Sequence, residues 1–336
     1  MESPLYADLH VHTTISDGSD DFEEVLAQAA TLGLTHVAFT NHDTVTGLSQ
    51  AFDLQERFNV TVIGGIEISA WDAAENTKAH IIGLGFESER APAIQALCGP
   101  LLERRFAKTR WQIEQLQSHG IKLDLDLLGR YALQSTCLYK QHVMAALTEA
   151  PHGSAEYQRL YRSLFKEGGI CERHIPYVDA RDAVRAIKED GGWAVLAHPG
   201  QFNNFGLVAR LARLGLDGIE KYHPDHGPKE WRKVEQLATE HNLFCTGGSD
   251  YHGAFGDSAL GSHRIQVDTG TDKGTVHPST DKGTVHPSTL VCGQRDGSSV
   301  HPGLAVLLDE CGSRQGGRRA NAGRADAGSV HPSSPI

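Results

Sequence analysis

Over the first 268 residues of this 336-residue chain, the short apolar runs end one after another on a histidine or a carboxylate. Candidate strands lie at 6–10, 36–40, 60–68, 80–86, 194–197, 218–222 and 244–247. His10 and His12 end the first, His42 the second and Glu67 the third. His198 follows the fifth, His223 the sixth, and Asp250 with His252 the seventh. Longer amphipathic stretches separate these runs, and such alternation marks an α/β fold. In parallel α/β folds, functional groups collect beyond the carboxyl ends of the strands. Almost every strand here therefore hands a metal-type ligand to one face. His10 and His12 are two apart, so on an extended segment both imidazoles point to the same side. Asp17 follows in a Ser16-Asp17-Gly18 turn. His80 opens its run instead of closing it, and reaches the same end if that strand runs antiparallel to the Glu67 strand.

Helices are expected at 22–32, 48–58, 180–190, 207–214 and 229–241. The first opens on Asp20 and Asp21 and stops at Gly33, as the helix dipole and C-cap preferences favour. The stretch 98–175 breaks the alternation. It has helical spacing over 101–119 and again near 142–149 and 155–167, and it reads as a small helical insertion between two strands.

The candidate ligands are His10, His12, Asp17, His42, Glu67, His80, His198, Asp250 and His252. Nine are too many for one ion, but with a shared carboxylate they suit two or three. Imidazoles mixed with carboxylates suit Mn, Fe or Zn, with Mg possible. No CxxC pair offers a thiolate site. Clustered divalent ions bring a bound water towards neutral pKa and screen the charge of a phosphate. The reading is phosphoester hydrolysis by attack of a metal-bound hydroxide, since neither G-x-S-x-G nor a Cys/His pairing offers a covalent nucleophile. Asp43 and His223 are candidates for the catalytic proton on the leaving oxygen. Lys140, His142 and His223 are candidates for contacts to substrate phosphate.

The formal net charge of −11 argues against a wide basic surface for long nucleic acid and favours small substrates over long polymers. No apolar run approaches the roughly 20 residues that span a bilayer. The start, Met1-Glu2-Ser3-Pro4, has no basic or apolar leader pattern, so the expected location is cytoplasmic.

Five stretches of the sequence are similar to the signatures of the PHP (polymerase and histidinol phosphatase) family: 8–18 (DLHVHTTISDG), 40–44 (TNHDT), 65–67 (GIE), 196–200 (LAHPG) and 248–253 (GSDYHG). The chain resembles in particular small bacterial members with a helical insertion after the fourth strand, a group containing nucleoside 3′,5′-bisphosphate phosphatases and short-RNA 5′–3′ exonucleases. The resemblance implies a distorted (β/α)7 barrel with a trinuclear site. His10, His12, Glu67 and Asp250 would hold the first ion, Glu67, His80 and His198 the second, and Asp17, His42 and His252 the third. It also implies a metal-dependent phosphatase of small nucleotides, a nucleoside 3′,5′-bisphosphate before all. The alternatives are a 5′–3′ exonuclease on short RNA, a phosphatase of the histidinol-phosphate type and a non-catalytic metal-binding module. Two positions depart from the family pattern: Asn41 stands where an Asp is usual, and Lys140-Gln141-His142 stands where R-P-H is frequent. Amidohydrolase barrels also begin with H-x-H, but they use a carboxylated lysine at a strand end, and Lys78 is the nearest lysine to such a place.

The remaining segment, 269–336, has no aromatic residue, and 24 of its 68 residues are Gly, Ser or Pro. The nonapeptide TDKGTVHPS occurs in tandem at 271–279 and 280–288. Such a segment cannot bury enough apolar surface to offset its ordering entropy, so a low-complexity disordered tail is expected after a catalytic barrel at 1–268. Deleting 269–336 is predicted to leave melting temperature and phosphoesterase turnover unchanged; a large drop in either would show that the tail supports the body.

Overall fold

The computed structural model describes residues 4–267, so the segment 269–336 lies outside the described residues. All seven expected strands form: β1 (Leu5–Val11), β2 (His36–Phe39), β3 (Thr61–Asp72), β4 (Thr77–Phe86), β6 (Trp193–Leu196), β7 (Gly218–Tyr222) and β8 (Phe244–Gly247). Two short strands were not foreseen, β5 (Val178–Asp179) beside β3 and β9 (Ile265–Val267) antiparallel to β1. The sheet order is β8-β7-β6-β4-β3-β2-β1-β9. Neighbours are parallel except that β4 is antiparallel to both β3 and β6, and β9 is antiparallel to β1. That reversal carries His80 to the end where the other strands stop, as its place in the sequence required.

The sheet curls until its two ends nearly meet. Val11 bridges Tyr251, and the His12 amide donates to the Tyr251 carbonyl at 2.9 Å. A side chain at Gly248 would collide with His10 Cβ, so closure of the barrel at this seam requires glycine. Asp8 staples the same seam: Oδ1 accepts from the Ser249 amide at 2.9 Å, and Oδ2 accepts from the Ser249 hydroxyl at 2.6 Å and the Gly261 amide at 2.8 Å. Leu9, Phe39, Ile63, Ile66, Ile81, Leu84 and Phe244 are fully buried, each contributing about 1.5–3 kcal/mol of burial.

Helices α1 (Phe22–Thr31), α2 (Leu48–Phe58), α7 (Ala180–Glu189), α9 (Val208–Ala212) and α10 (Pro228–His241) lie within a few residues of the expected spans, with a short α8 (Pro199–Phe202) after β6. Asp21 and Glu24 form a reciprocal capping box at α1, the reason for the acidic start. The insertion begins earlier than the sequence suggests. Its first helix, α3, spans Pro92–Ser118, and it is followed by α4 (Leu125–Gln134), α5 (Lys140–Ala145) and α6 (Ala155–Phe165). Helix α4 was not expected. Its exposed Leu125 and Leu133 spoil the apolar stripe by which a surface helix is recognised. Ile94, Cys98 and Leu101 join α3 to the barrel core, whereas Leu116 belongs to a second core with Leu128, Val143, Met144, Tyr157 and Phe165. The insertion thus has an interior of its own and hangs from one long helix. Among the described residues, no helix is long and apolar enough to cross a membrane.

Candidate metal centre and cavity

At the carboxyl end of the barrel, Glu67 is buried among five imidazoles. Its Oε1 lies 2.7 Å from His80 Nδ1 and 3.0 Å from His198 Nε2. Its Oε2 lies 3.4 Å from His10 Nε2, 3.2 Å from His12 Nε2 and 3.2 Å from His42 Nδ1. Asp250 Oδ1 is 3.3 Å from both His10 Nε2 and His12 Nε2. A second focus is Asp17, whose carboxylate lies 3.4 Å from His252 Nε2, 3.7 Å from His12 Nδ1 and 3.8 Å from His42 Nε2. All nine residues singled out in the sequence come together.

The donor set fits divalent metal on two counts. Four ligand atoms at about 2.1 Å around a tetrahedral ion are roughly 3.4 Å apart. The contacts among His10 Nε2, His12 Nε2, Glu67 Oε2 and Asp250 Oδ1 are 3.2–3.4 Å. These four residues form one ligand group, His12, Asp17, His42 and His252 another, and His42, Glu67 and His80 a third. Secondly, His10 Nε2, both ring nitrogens of His12, His42 Nδ1, His198 Nδ1 and Asp17 Oδ1 are buried without a hydrogen-bond partner. Buried polar atoms are normally satisfied, and a bound ion is one of the recognised reasons for an exception, here concentrated in one cluster.

Charge leads to the same conclusion. Burial pushes the Glu67 carboxyl up, but the imidazoles of His80, His42 and His10 outweigh it and hold it well below the usual carboxylate range. Asp17 and Asp250 are held low against their burial in the same way. Burial drops the His42 imidazole to about 4, leaving it neutral, the form that binds metal. His10 is opposed by burial yet raised well above its ordinary value by Glu220, Glu67 and Asp250.

Supporting groups fix the rings. His10 Nδ1 pairs with Glu220 Oε1 at 3.0 Å, while Glu220 Oε2 accepts from the His198 amide at 2.8 Å. His252 Nδ1 donates to the Asp250 carbonyl at 2.9 Å, leaving Nε2 for Asp17. Glu220 was missed in the sequence, although a carboxylate in the middle of a fully buried strand was a usable signal. Asn41 is not aimed at the cluster. Its Oδ1 accepts from the Thr13 amide at 2.8 Å, the Thr13 hydroxyl at 3.1 Å and the Ser16 hydroxyl at 2.9 Å, and so shapes the loop that carries Asp17. Asp43, His198 and Asp250 all have left-handed backbone, with φ of 60°, 23° and 51°. Strain in non-glycine residues concentrates at functional sites, at about 1–3 kcal/mol each.

The cluster forms one end of a cavity of about 330 Å³. The lining includes Asp17, His42, Glu67, His80, His198, Asp250 and His252, and continues onto the insertion through Lys108, Lys140, Tyr161, Lys166 and Arg173. Of the residues expected to meet substrate, Lys140 is in this lining; His142, His223 and Asp43 are not. His142 accepts from the Tyr139 amide at 3.2 Å and stacks on Tyr131, closing the start of α5. His223 accepts at Nδ1 from the Asp225 amide and faces Asp250 Oδ2 with Nε2 at 3.3 Å. Asp43 accepts from the Ser69 amide at 2.7 Å and from Arg105 Nη2 at 2.6 Å. Arg105 also donates to Ser69 Oγ and stacks over Tyr139, whose hydroxyl donates to the His42 carbonyl at 3.0 Å. Gln141 donates to Asp17 Oδ2 at 2.7 Å. Arg105 had no sequence signal, being one of six charged residues along α3.

A PHP domain model matches residues 8–164. The chain is 57% identical over 252 residues to a phosphoribosyl 1,2-cyclic phosphate 1,2-diphosphodiesterase of Eggerthella lenta, covering 75% of this chain and 96% of that protein. It is 29% identical over 252 residues to a 3′,5′-nucleoside bisphosphate phosphatase of Chromobacterium violaceum, covering 73% of this chain and 86% of the relative. A solved structure of a candidate metal-dependent phosphoesterase from Bifidobacterium adolescentis superposes with a TM-score of 0.69 at 26% identity, covering 76% of this chain and 91% of that one.

The Arg105–Asp43 pair generates a stability prediction. With Asp43 fully buried and Arg105 nearly so, Arg105→Met strands a carboxylate and should cost about 3–5 kcal/mol in denaturant unfolding. Adding Asp43→Asn should recover part of that loss. An Arg105→Met protein as stable as the parent would mean that the pair is solvated.

Proposed function

This chain belongs to the PHP family of metal-dependent phosphoesterases, and from that premise we propose that it hydrolyses the cyclic phosphodiester of a small phosphorylated ribose, using two to three divalent ions (Mn, Fe or Zn) held by the nine-residue cluster. Bound there, the ions supply Lewis acidity and acidify a water to near neutrality. On the family pattern, His10, His12, Glu67 and Asp250 would hold one ion, Glu67, His80 and His198 a second, and Asp17, His42 and His252 a third. Glu220 holds His10 with Nε2 turned to the cluster, and His223 steadies Asp250 from behind. In the net reaction, water oxygen bonds to phosphorus, one ring P–O bond breaks, and the released sugar oxygen takes a proton.

The observation that carries this reading is the two-ended cavity, with imidazoles and carboxylates at one end and lysines and arginines at the other. A small molecule with two separate anionic groups matches both ends. Its size, near the lower limit of about 300–1,000 Å³ for ligand pockets, suits a sugar phosphate better than an oligonucleotide. The name of the Eggerthella relative describes such a molecule. A nucleoside 3′,5′-bisphosphate is the second reading, favoured by Tyr161, Phe165, Tyr177 and Phe202 in the lining, which offer faces on which a base could stack.

Two predictions test this. With Mn²⁺ supplied, kcat/KM on phosphoribosyl 1,2-cyclic phosphate should exceed that on a nucleoside 3′,5′-bisphosphate or a short RNA by at least about a hundredfold. A reversed order would remove the ribose assignment and install the nucleotide one. Glu67→Ala should lose most of the bound metal by elemental analysis and at least about a thousandfold in turnover, because both carboxylate oxygens are shared among ligand groups. Full metal content in that variant would contradict the shared role of Glu67.

A further inference from the structure

The insertion end of the cavity has an unbalanced charge. Arg105, Lys108, Lys140, Lys166 and Arg173 of the insertion are in the lining, and Lys78 of β4 joins them from the barrel. Most of these cations are engaged. Arg105 is committed to Asp43 and Ser69, Lys140 Nζ donates to the Tyr161 hydroxyl at 2.9 Å, Lys78 lies over the Tyr177 ring, and Arg173 lies over Trp111. The insertion contributes one carboxylate to the lining, Glu172, and it accepts from the Gly168 amide. The side chains of Lys108 and Lys166 have no hydrogen bond, ion pair or ring contact among the described residues.

Lys108 is the less exposed of these two. Burial, and then Arg105, Lys140, Lys78 and Lys166, pull its ammonium down to about 8. A half-buried lysine beside four like charges, with no carboxylate paired to it among the described residues, is destabilising to the folded chain. Such local conflicts are expected where a ligand supplies the missing counter-charge.

We propose that Lys108 and Lys166, with Lys140 beside them, form a second anion subsite that holds the substrate phosphate not being hydrolysed, and that Lys108 determines specificity for doubly anionic substrates. This rests on the reading of a small phosphorylated substrate given above. The two ends then have separate tasks. The imidazole and carboxylate end handles the phosphorus that reacts, and the ammonium end measures whether a second phosphate is present. Lysine suits the second task, because an ammonium on a flexible stem meets a phosphate as a point charge from several directions.

The test uses the metal-replete protein and inorganic sulfate as the probe, with Lys108→Met and Lys108→Arg as variants. Calorimetric titration should show sulfate binding in the parent, at least about tenfold weaker binding in Lys108→Met at unchanged metal content, and near-parental binding in Lys108→Arg. In kinetics, Lys108→Met should lower the ratio of kcat/KM on phosphoribosyl 1,2-cyclic phosphate to that on an aryl phosphate by at least about tenfold, mostly through KM. Sulfate binding unaffected by Lys108→Met, or equal losses on both substrates, would overturn the subsite. Lys108-dependent sulfate binding without turnover of the cyclic phosphate would uphold the subsite and instead defeat the ribose reading.

Discussion

The burial of one carboxylate sets the terms for the rest of this molecule. Glu67 is 1% exposed and shares its two oxygens with imidazoles from four different strand ends. An ionised carboxylate in that position is tolerable only with its counter-charges in place. The strands must therefore end together, the sheet must close, and the β3–β4 hairpin must fold back so that His80 joins from the antiparallel side. The surrounding bonds serve these requirements. Asp8 locks the β1–β8 seam, Asn41 shapes the loop of Asp17, and Glu220 joins β7 to His10 and to the amide of His198. Left-handed backbone at Asp43, His198 and Asp250 is a cost accepted at the same place.

This constraint explains why so much could be read without coordinates. Ligands on parallel strands occupy a fixed place, the end of an apolar run, so His10, His12, His42, His198 and Asp250 announce themselves by position. Glu67 and His80 were expected at strand ends but lie inside β3 and β4, and the antiparallel return of that hairpin is what brings His80 beside Glu67. Side chains that act across elements left no such mark. Periodicity places Arg105 and Lys108 on α3 but does not say which face meets Asp43 and which meets the cavity. His142 and Asp43 stand beside residues of the site in sequence, yet His142 turns into a packed corner against Tyr131 and Asp43 turns towards Arg105. Sequence adjacency reports a neighbour's position, and the side chain's own direction depends on packing that comes from elsewhere in the chain.

The insertion is where the tertiary arrangement adds most to the sequence reading. It has its own apolar core, so it can hold a shape, but it is not free of the barrel. Among the bonds that tie it to the residues that carry the ligands are three: Arg105 to Asp43, the Tyr139 hydroxyl to the His42 carbonyl, and Gln141 to Asp17. Two of these reach the turn that delivers His42, and the third reaches a carboxylate of the cluster itself. The lysines of α3 and α5 are therefore tied to the barrel close to the imidazoles and carboxylates, by short, partly buried hydrogen bonds. On the proposed reading, a cavity with an imidazole and carboxylate cluster and a set of lysines would select for the spacing between two anions as well as for their charge. Variation in the insertion, with the barrel cluster held constant, is a direct physical route from one phosphoester substrate to another.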